Sequence, residues 1–183
     1  MTSDNDVFVR RYKPSDLAQL KSMFVDGMKD VNAPDAYIKE ALETDLSSIK
    51  DTYFAGRGTF FVVERKSDAK IIGAVGLQDL AVPAEECQKK GLGSCNNMGE
   101  LRRMTIHSSE RRKGRGKLIM KVLLSYAVDQ GFDGLTGSTG KWMDPANSLY
   151  KLMGGKVVEE VDAAIDIGGG SGRKALRYEL LFS

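Results

Sequence analysis

An α/β fold, a sheet covered by helices, is the architecture this sequence predicts, and three observations carry it. Strand-type and helix-type segments alternate along the chain with no long linker, repeat or low-complexity tract between them. Two β-rich runs, "GTFFVVER" and "KIIGAVGLQDL", flank the turn "KSDA" and read as a hairpin. The 183 residues, 42% of them hydrophobic, suffice for one sizeable core and not two, so a single domain over 1–183 is expected.

The elements follow in order. "VFVRRY" is a short β-type run. In "KPSDLAQLKSMFVDGM", Pro14 and a Ser15 or Asp16 cap precede Leu17, Leu20, Phe24 and Met28 at helical spacing. From Asp35 to Tyr53 a second amphipathic segment carries Ile38, Leu42, Leu46 and Ile49 on one face, with a break expected near "DLSS". The hairpin supplies the second and third strands. "AVPAEECQKKGLGSCNN" has proline, glycine and charge without a sustained period, so it reads as a long loop. "GELRRMTIH" places Leu101, Met104 and Ile106 in an imperfect alternation that fits a strand with a bulge. Ile119, Val122, Leu123, Tyr126 and Ala127 then mark one helix face, and Gly131 its C-terminal stop. "GLTGS" is a short strand, "DPANSLYKLM" a short helix opening with Pro145 and closing at Gly154. "KVVEEVDAAI" and "RKALRYELLF" are a final pair of strands.

Composition excludes several classes. Lysine plus arginine number 27 against 25 aspartate plus glutamate, a net charge of +2 that argues against a protein coating nucleic acid non-specifically. Cys87 and Cys95 have no second pair and the chain holds one histidine, so neither a zinc site nor a disulfide framework is indicated; a loop disulfide between the two stays open. Nothing resembling a signal peptide is seen before "VFVRRY", and no apolar run approaches the ~20 residues needed to cross a bilayer. A cytoplasmic protein without membrane or metal is the expectation.

Positive charge is instead local. Glu110 to Leu118, "ERRKGRGKL", lies between a strand and the first turn of an amphipathic helix. A helix start offers backbone N–H groups without intrahelical partners, and its dipole favours an anion. Gly114 and Gly116 would let that backbone approach a phosphate, with Arg111, Arg112, Lys113, Arg115 and Lys117 to neutralise its charge. A basic run is more often only a solvated face, so its setting decides. The rival glycine run "IGGGSGRK" precedes a strand, offers no helix start, and reads as a connector.

"RRKGRG" resembles the Q/R-x-x-G-x-G/A motif of the GNAT superfamily of N-acetyltransferases. "ELRRMTIHSSERRKGRGKLIMKVLLSYAVDQGF" is similar to that family's fourth strand, loop and following helix, "SLYKLMGG" to its later Leu-Tyr-x-x-x-Gly segment, and "VRRYKPSDLAQLKSMF" to its first strand and helix. The resemblance implies a mixed, mostly antiparallel sheet of six to seven strands flanked by about four helices and splayed between strands 4 and 5. It implies acetyl-CoA as co-substrate, its pyrophosphate held by Arg111, Gly114, Gly116 and their neighbours, and acetyl transfer to a primary amine by direct attack in a ternary complex.

Acetylating an amine sets a chemical requirement. An alkyl amine is about 3.4 units from deprotonation at pH 7, a cost of roughly 4.6 kcal/mol. The site must therefore take one proton and supply another to the departing thiolate. By resemblance Glu100 is the base, directly or through a water, and Tyr150 the acid; the alternatives are a glutamate that merely pairs with Arg102 or Arg103 and a packed tyrosine. His107, the lone histidine, has a suitable intrinsic pKa but falls at the strand end. The resemblance, which places the family's strand bulge and splay here, further implies that backbone groups of Met104, Thr105 and Ile106 bind the acetyl carbonyl and the pantetheine amide.

The sequence also departs from the pattern. Ser108 stands where proline is common, Arg115 where an apolar residue is common, Gly155 where phenylalanine usually follows the glycine, and Met143 where many members have a CoA-contacting asparagine. Asn147 is the candidate to take that asparagine's place. Helix one, the Asp35 to Tyr53 segment and the Ala81 to Asn97 loop are the expected acceptor walls. The acceptor could be an amine-bearing small molecule, or a protein lysine or N-terminus, and the chain a monomer or homodimer. Two other classes remain open: an acyl-CoA-binding regulatory module without turnover, and a nucleic-acid binder using Arg102, Arg103 and the loop.

Overall fold

A computed structural model describes residues 6–80, 97–163 and 172–182. The expectations placed on Cys87, Cys95 and nearly all of the Ala81 to Asn97 segment lie outside the described residues.

In chain order the elements are β1 (Val7–Arg11), α1 (Leu17–Asp30), α2 (Asp35–Glu43), α3 (Ile49–Tyr53), β2 (Thr59–Arg65), β3 (Lys70–Asp79), β4 (Met98–Ile106), α4 (Arg115–Asp129), β5 (Gly134–Gly140), α5 (Asp144–Leu152), β6 (Lys156–Asp162) and β7 (Lys174–Leu181). The strands form one seven-stranded sheet in the order β1-β2-β3-β4-β5-β7-β6. Every neighbouring pair is antiparallel except β4 and β5, so the sheet is mixed and mostly antiparallel. Five helices are described where about four were expected, because the Asp35 to Tyr53 segment divides at Thr44 to Ser48 into α2 and α3. Among the described residues no helix is long and apolar enough to cross a membrane.

Alternation along β2 explains why both sheet faces are covered. Phe61 and Val63 turn towards α4, where Ile119, Leu123 and Ala127 complete one core; Phe60 and Val62 turn the other way, onto Leu20, Phe24, Ile49 and Tyr53 of α1 and α3. Such a strand reads as an unbroken apolar run in sequence, which is how "TFFVV" appears.

Two local outcomes refine the sequence expectations. Pro14–Asp16 is a single 3-10 turn, and Asp16 does not cap α1. Its carboxylate accepts the Lys13 N–H at 2.7 Å and two Arg10 guanidinium N–H groups at 2.7 and 2.8 Å, tying the turn back to β1. The bulge expected in β4 is present: register shifts between Ala74 and Gly76 of β3, where Arg103 takes a left-handed φ of 55°.

Candidate active site

Strands β4 and β5 pair only from Met98 to Glu100, against Gly134 to Thr136. Beyond Glu100, β4 continues with β3 and β5 with β7, so the two strands part. Backbone groups on the facing edge of β4 thereby lose the neighbour a sheet would give them. A cleft of about 1110 Å³ fills the opening, lined by Met104, Thr105 and Ile106 of β4, by the 111–117 loop, by α5 and by the end of α1.

The loop forms one end of the cleft. A 3-10 turn at Ser108–Glu110 leads into Arg112, with φ 58°, and Gly114, with φ 81°, which starts α4. At Gly114 the left-handed backbone, and not lack of space, favours glycine, since a Cβ there would meet no atom within 4 Å. Gly116 serves packing instead: its Cβ would lie 3.2 Å from a Leu149 methyl and 3.6 Å from the Met104 methyl, on the cleft floor. The N–H groups of six consecutive residues, Arg112 to Lys117, have no hydrogen-bond acceptor among the described residues. With the helix dipole behind them they form a row of donors suited to an anion. Arg112, Lys113 and Lys117 are exposed beside this row, and Lys113 also reaches the buried carboxylate of Glu110 at 3.3 Å.

The remaining two arginines hold the loop in place, Arg111 from the cleft lining and Arg115 from beneath. Arg111 donates to the carbonyls of Ile106 at 3.1 Å and Gly27 at 3.0 Å and pairs with Asp30, so it clamps the loop to β4 and α1. The guanidinium of Arg115 is turned beneath the loop, only 2% of the residue being exposed. It binds Asp6 at 2.7 and 2.8 Å and lies 3.7 Å from Glu110, which corrects the expectation that its charge meets a ligand; only its backbone N–H remains in the row.

Tyr150, on α5, is buried in the cleft wall and stands edge-on to Tyr178, with ring centroids 5.4 Å apart. Burial, with the nearby phenols of Tyr37 and Tyr178, pushes its pKa well above the ordinary tyrosine value, so it holds its proton at neutral pH. Asn147 is a correction. Its amide N–H groups go to the carbonyls of Gly140, Lys141 and Met143, its oxygen accepts from Tyr178, and it does not line the cleft. The residue fastens the start of α5 to β5 and β7. His107 caps the 3-10 turn, its Nδ1 2.9 Å from the Ser109 hydroxyl.

Glu100 is the last β4 residue paired with β5, at the apex of the split, opposite Thr136 on one side and Gln78 on the other. Strand alternation puts it on the face opposite Leu101, the face of Arg102 and Gln78. It is half-buried and does not line the cleft.

One cluster was not anticipated. Arg103, at the bulge, is held by Asp45 through Nε at 2.9 and 3.0 Å, and Nη2 reaches Glu40 at 3.3 Å; Asp45 also accepts the Tyr53 hydroxyl. Tyr37 lies under the guanidinium, 5.2 Å from ring centroid to Cζ. Burial would raise the Asp45 carboxyl, but the hydrogen bond and charge of Arg103 outweigh it and hold the group below its usual range. So deeply buried an arginine is no part of a surface patch for nucleic acid. No local pattern signals the cluster, whose members come from α2, the α2–α3 connection, α3 and β4.

A model of the acetyltransferase (GNAT) family matches residues 25–154. The chain belongs to the GNAT acetyltransferase family. Human N-acetyltransferase 8 is 32% identical over 122 residues, covering 66% of this chain and 48% of that protein. Rat N-acetyltransferase family 8 member 2 is 30% identical over 118 residues, 64% of this chain and 47% of that one. The chain thus spans about half the length of these curated relatives. Among solved structures, a GNAT-family acetyltransferase of Staphylococcus aureus Mu50 superposes with a TM-score of 0.73 at 18% identity, over 97% of this chain and 99% of that chain. An acetyltransferase of Streptococcus agalactiae 2603 gives 0.74 at 17% identity, over the same shares. Both likenesses concern the fold.

This GNAT chain accommodates its departures from the family pattern locally. Ser108 opens the 3-10 turn. A Cβ at Gly155 would come within 2.9 Å of the Tyr150 carbonyl, so the small residue lets the chain turn tightly under α5. Met143 lines the cleft and its sulfur accepts the Thr139 hydroxyl at 3.4 Å.

Proposed function

We propose that the protein is an acetyl-CoA-dependent N-acetyltransferase, moving the acetyl group to a primary amine by direct attack in a ternary complex. The observation that carries this is the row of unpaired N–H groups from Arg112 to Lys117, at the mouth of a cleft that runs to the β4–β5 split and Tyr150. Those donors, with the exposed side chains of Arg112, Lys113 and Lys117, would hold the pyrophosphate. The open edge of β4 at Met104 to Ile106 would hold the pantetheine arm and the acetyl carbonyl. When bound, acetyl-CoA supplies an acetyl group activated as a thioester.

The chain's own groups then handle the protons. Glu100, at the apex of the split and outside the cleft lining, would take one from the amine, directly or through a water. Tyr150 keeps one available at the cleft wall, because its raised pKa leaves the phenol neutral. The amine and the acyl donor enter together, so no covalent acyl-enzyme is required.

Calorimetry with CoA, followed by thiol release across an amine panel, tests the proposal. CoA should bind at one site per chain and thiol release should require an amine. Binding without release on any amine would turn the reading to a non-catalytic acyl-CoA module, and affinity for nucleic acid that CoA does not compete would point to the third class.

A further inference from the structure

The side of the cleft formed by the end of α1, α2 and the β4 bulge has an unusual charge character. Its wall combines the apolar side chains of Met28, Val31 and Met143 with Tyr37 and Arg103. Arg103 exposes only 4% of its side chain. Its Nε and Nη2 are engaged by Asp45 and Glu40, but Nη1 has no hydrogen-bond partner among the described residues. A guanidinium offers five N–H donors and no acceptor, and Nη1 is not among the fully enclosed unpaired atoms, so its N–H groups are open from the cleft to water or to an oxygen of a ligand. Tyr37 beneath the guanidinium fixes its plane.

The charges around it narrow the choice of ligand. Among the described residues Asp30 is the one carboxylate lining the cleft, and it is paired with Arg111. A hollow of about 560 Å³ adjoins at Val31, lined by Lys141, Arg173 and Lys174 with Trp142 and, among the described residues, by no acidic side chain. A substrate carrying several positive charges, such as a polyamine or a lysine-rich segment, would meet like charge along this approach. An amine whose own carboxylate accompanies it would not.

We infer that the acceptor is an amine bearing a carboxylate, and that Arg103 is the residue that receives this carboxylate through Nη1 and so sets specificity. The inference rests on the acetyltransferase reading and adds the substrate class to it. The apolar wall of Met28, Val31 and Met143 would take the remainder of such a molecule, and the amine would point towards the β4–β5 split.

Matched acceptors with the native protein decide the matter: phenylalanine, phenylalaninamide and phenethylamine, followed by thiol release with saturating acetyl-CoA. Phenylalanine should have a kcat/KM at least ~100-fold above both others, as expected where a site built for a polar group meets an analogue lacking it. The amide is the informative control, since its amine is less protonated than that of phenylalanine and would otherwise be favoured. Equal or better use of the amide or of phenethylamine overturns the inference while leaving the acetyltransferase reading intact. Absence of thiol release with all three and with the wider amine panel, despite CoA binding, overturns that reading and the inference with it. Arg103→Lys, checked for native melting and CoA affinity, should collapse the preference for phenylalanine towards unity; a folded variant that keeps the preference would show that another group receives the carboxylate. Should this variant fail to fold, the native comparison still decides.

Discussion

At the scale of single residues, the proton of Tyr150 is the feature most open to measurement. The phenol is buried and its pKa raised, so through the neutral and mildly alkaline range it is a filled proton donor. A raised pKa keeps the protonated form up to the folded value, which lies above the ordinary ~10. No alkaline fall in kcat assignable to this group should therefore occur below about pH 10. Tyr150→Phe removes the hydroxyl while preserving the ring against Tyr178. It should lower kcat by roughly 10²–10⁴-fold with CoA affinity unchanged, the range of a lost general acid. A kcat–pH series on both proteins checks this; equal rates at every pH would remove the acid role. Asn147 shows the opposite case, a polar residue at a suggestive position whose whole hydrogen-bonding capacity is internal.

At the scale of elements, the start of α4 combines two demands in neighbouring glycines, and substitutions separate them. Gly114→Ala adds backbone strain without a clash and should cost about 1 kcal/mol of stability, with a modest loss of CoA affinity. Gly114→Asp is strained no more, because aspartate tolerates the left-handed region better than alanine. It also places a negative charge among the unpaired N–H groups, so its CoA affinity should fall about 100-fold further than that of the alanine variant. Calorimetric titration of both variants gives the ratio, and a ratio near one would mean that no phosphate sits there. This element was legible in sequence because its signals are local: the glycines, the helix period after them and the strand before. The break between α2 and α3 was legible for the same reason, at "DLSS". Arg115 was not, since its orientation depends on Asp6, 109 positions away, and nothing near residue 115 distinguishes a basic residue facing a ligand from one facing the protein.

At the scale of the whole molecule, the sheet carries a core on each face, and the Arg103–Asp45 pair ties the α1–α3 side to the strand at its centre. The alternation of β2 and the order of elements foretold the two-faced sheet. They could not foretell a contact joining residues 58 positions apart through a bulge. The pair also makes stability depend on pH with a definite sign. Asp45 has a folded pKa below its unfolded value of ~3.9, so its contribution is complete above about pH 5 and is lost as pH falls through the folded value. Asp45→Asn removes the charge that offsets a buried guanidinium and should cost about 3–5 kcal/mol at pH 7, the range for breaking one partner of a buried pair. Below about pH 4 the difference between the two proteins should shrink, because the unfolded native chain takes up a proton at residue 45 that the folded carboxylate, with its lowered pKa, still resists. Urea unfolding at pH 7, 5 and 3.5 follows both quantities. A variant within ~1 kcal/mol of the native protein at pH 7, or one whose acid sensitivity is unchanged, would mean that packing alone joins the helices to the sheet, and that Arg103 can turn without unfolding the chain.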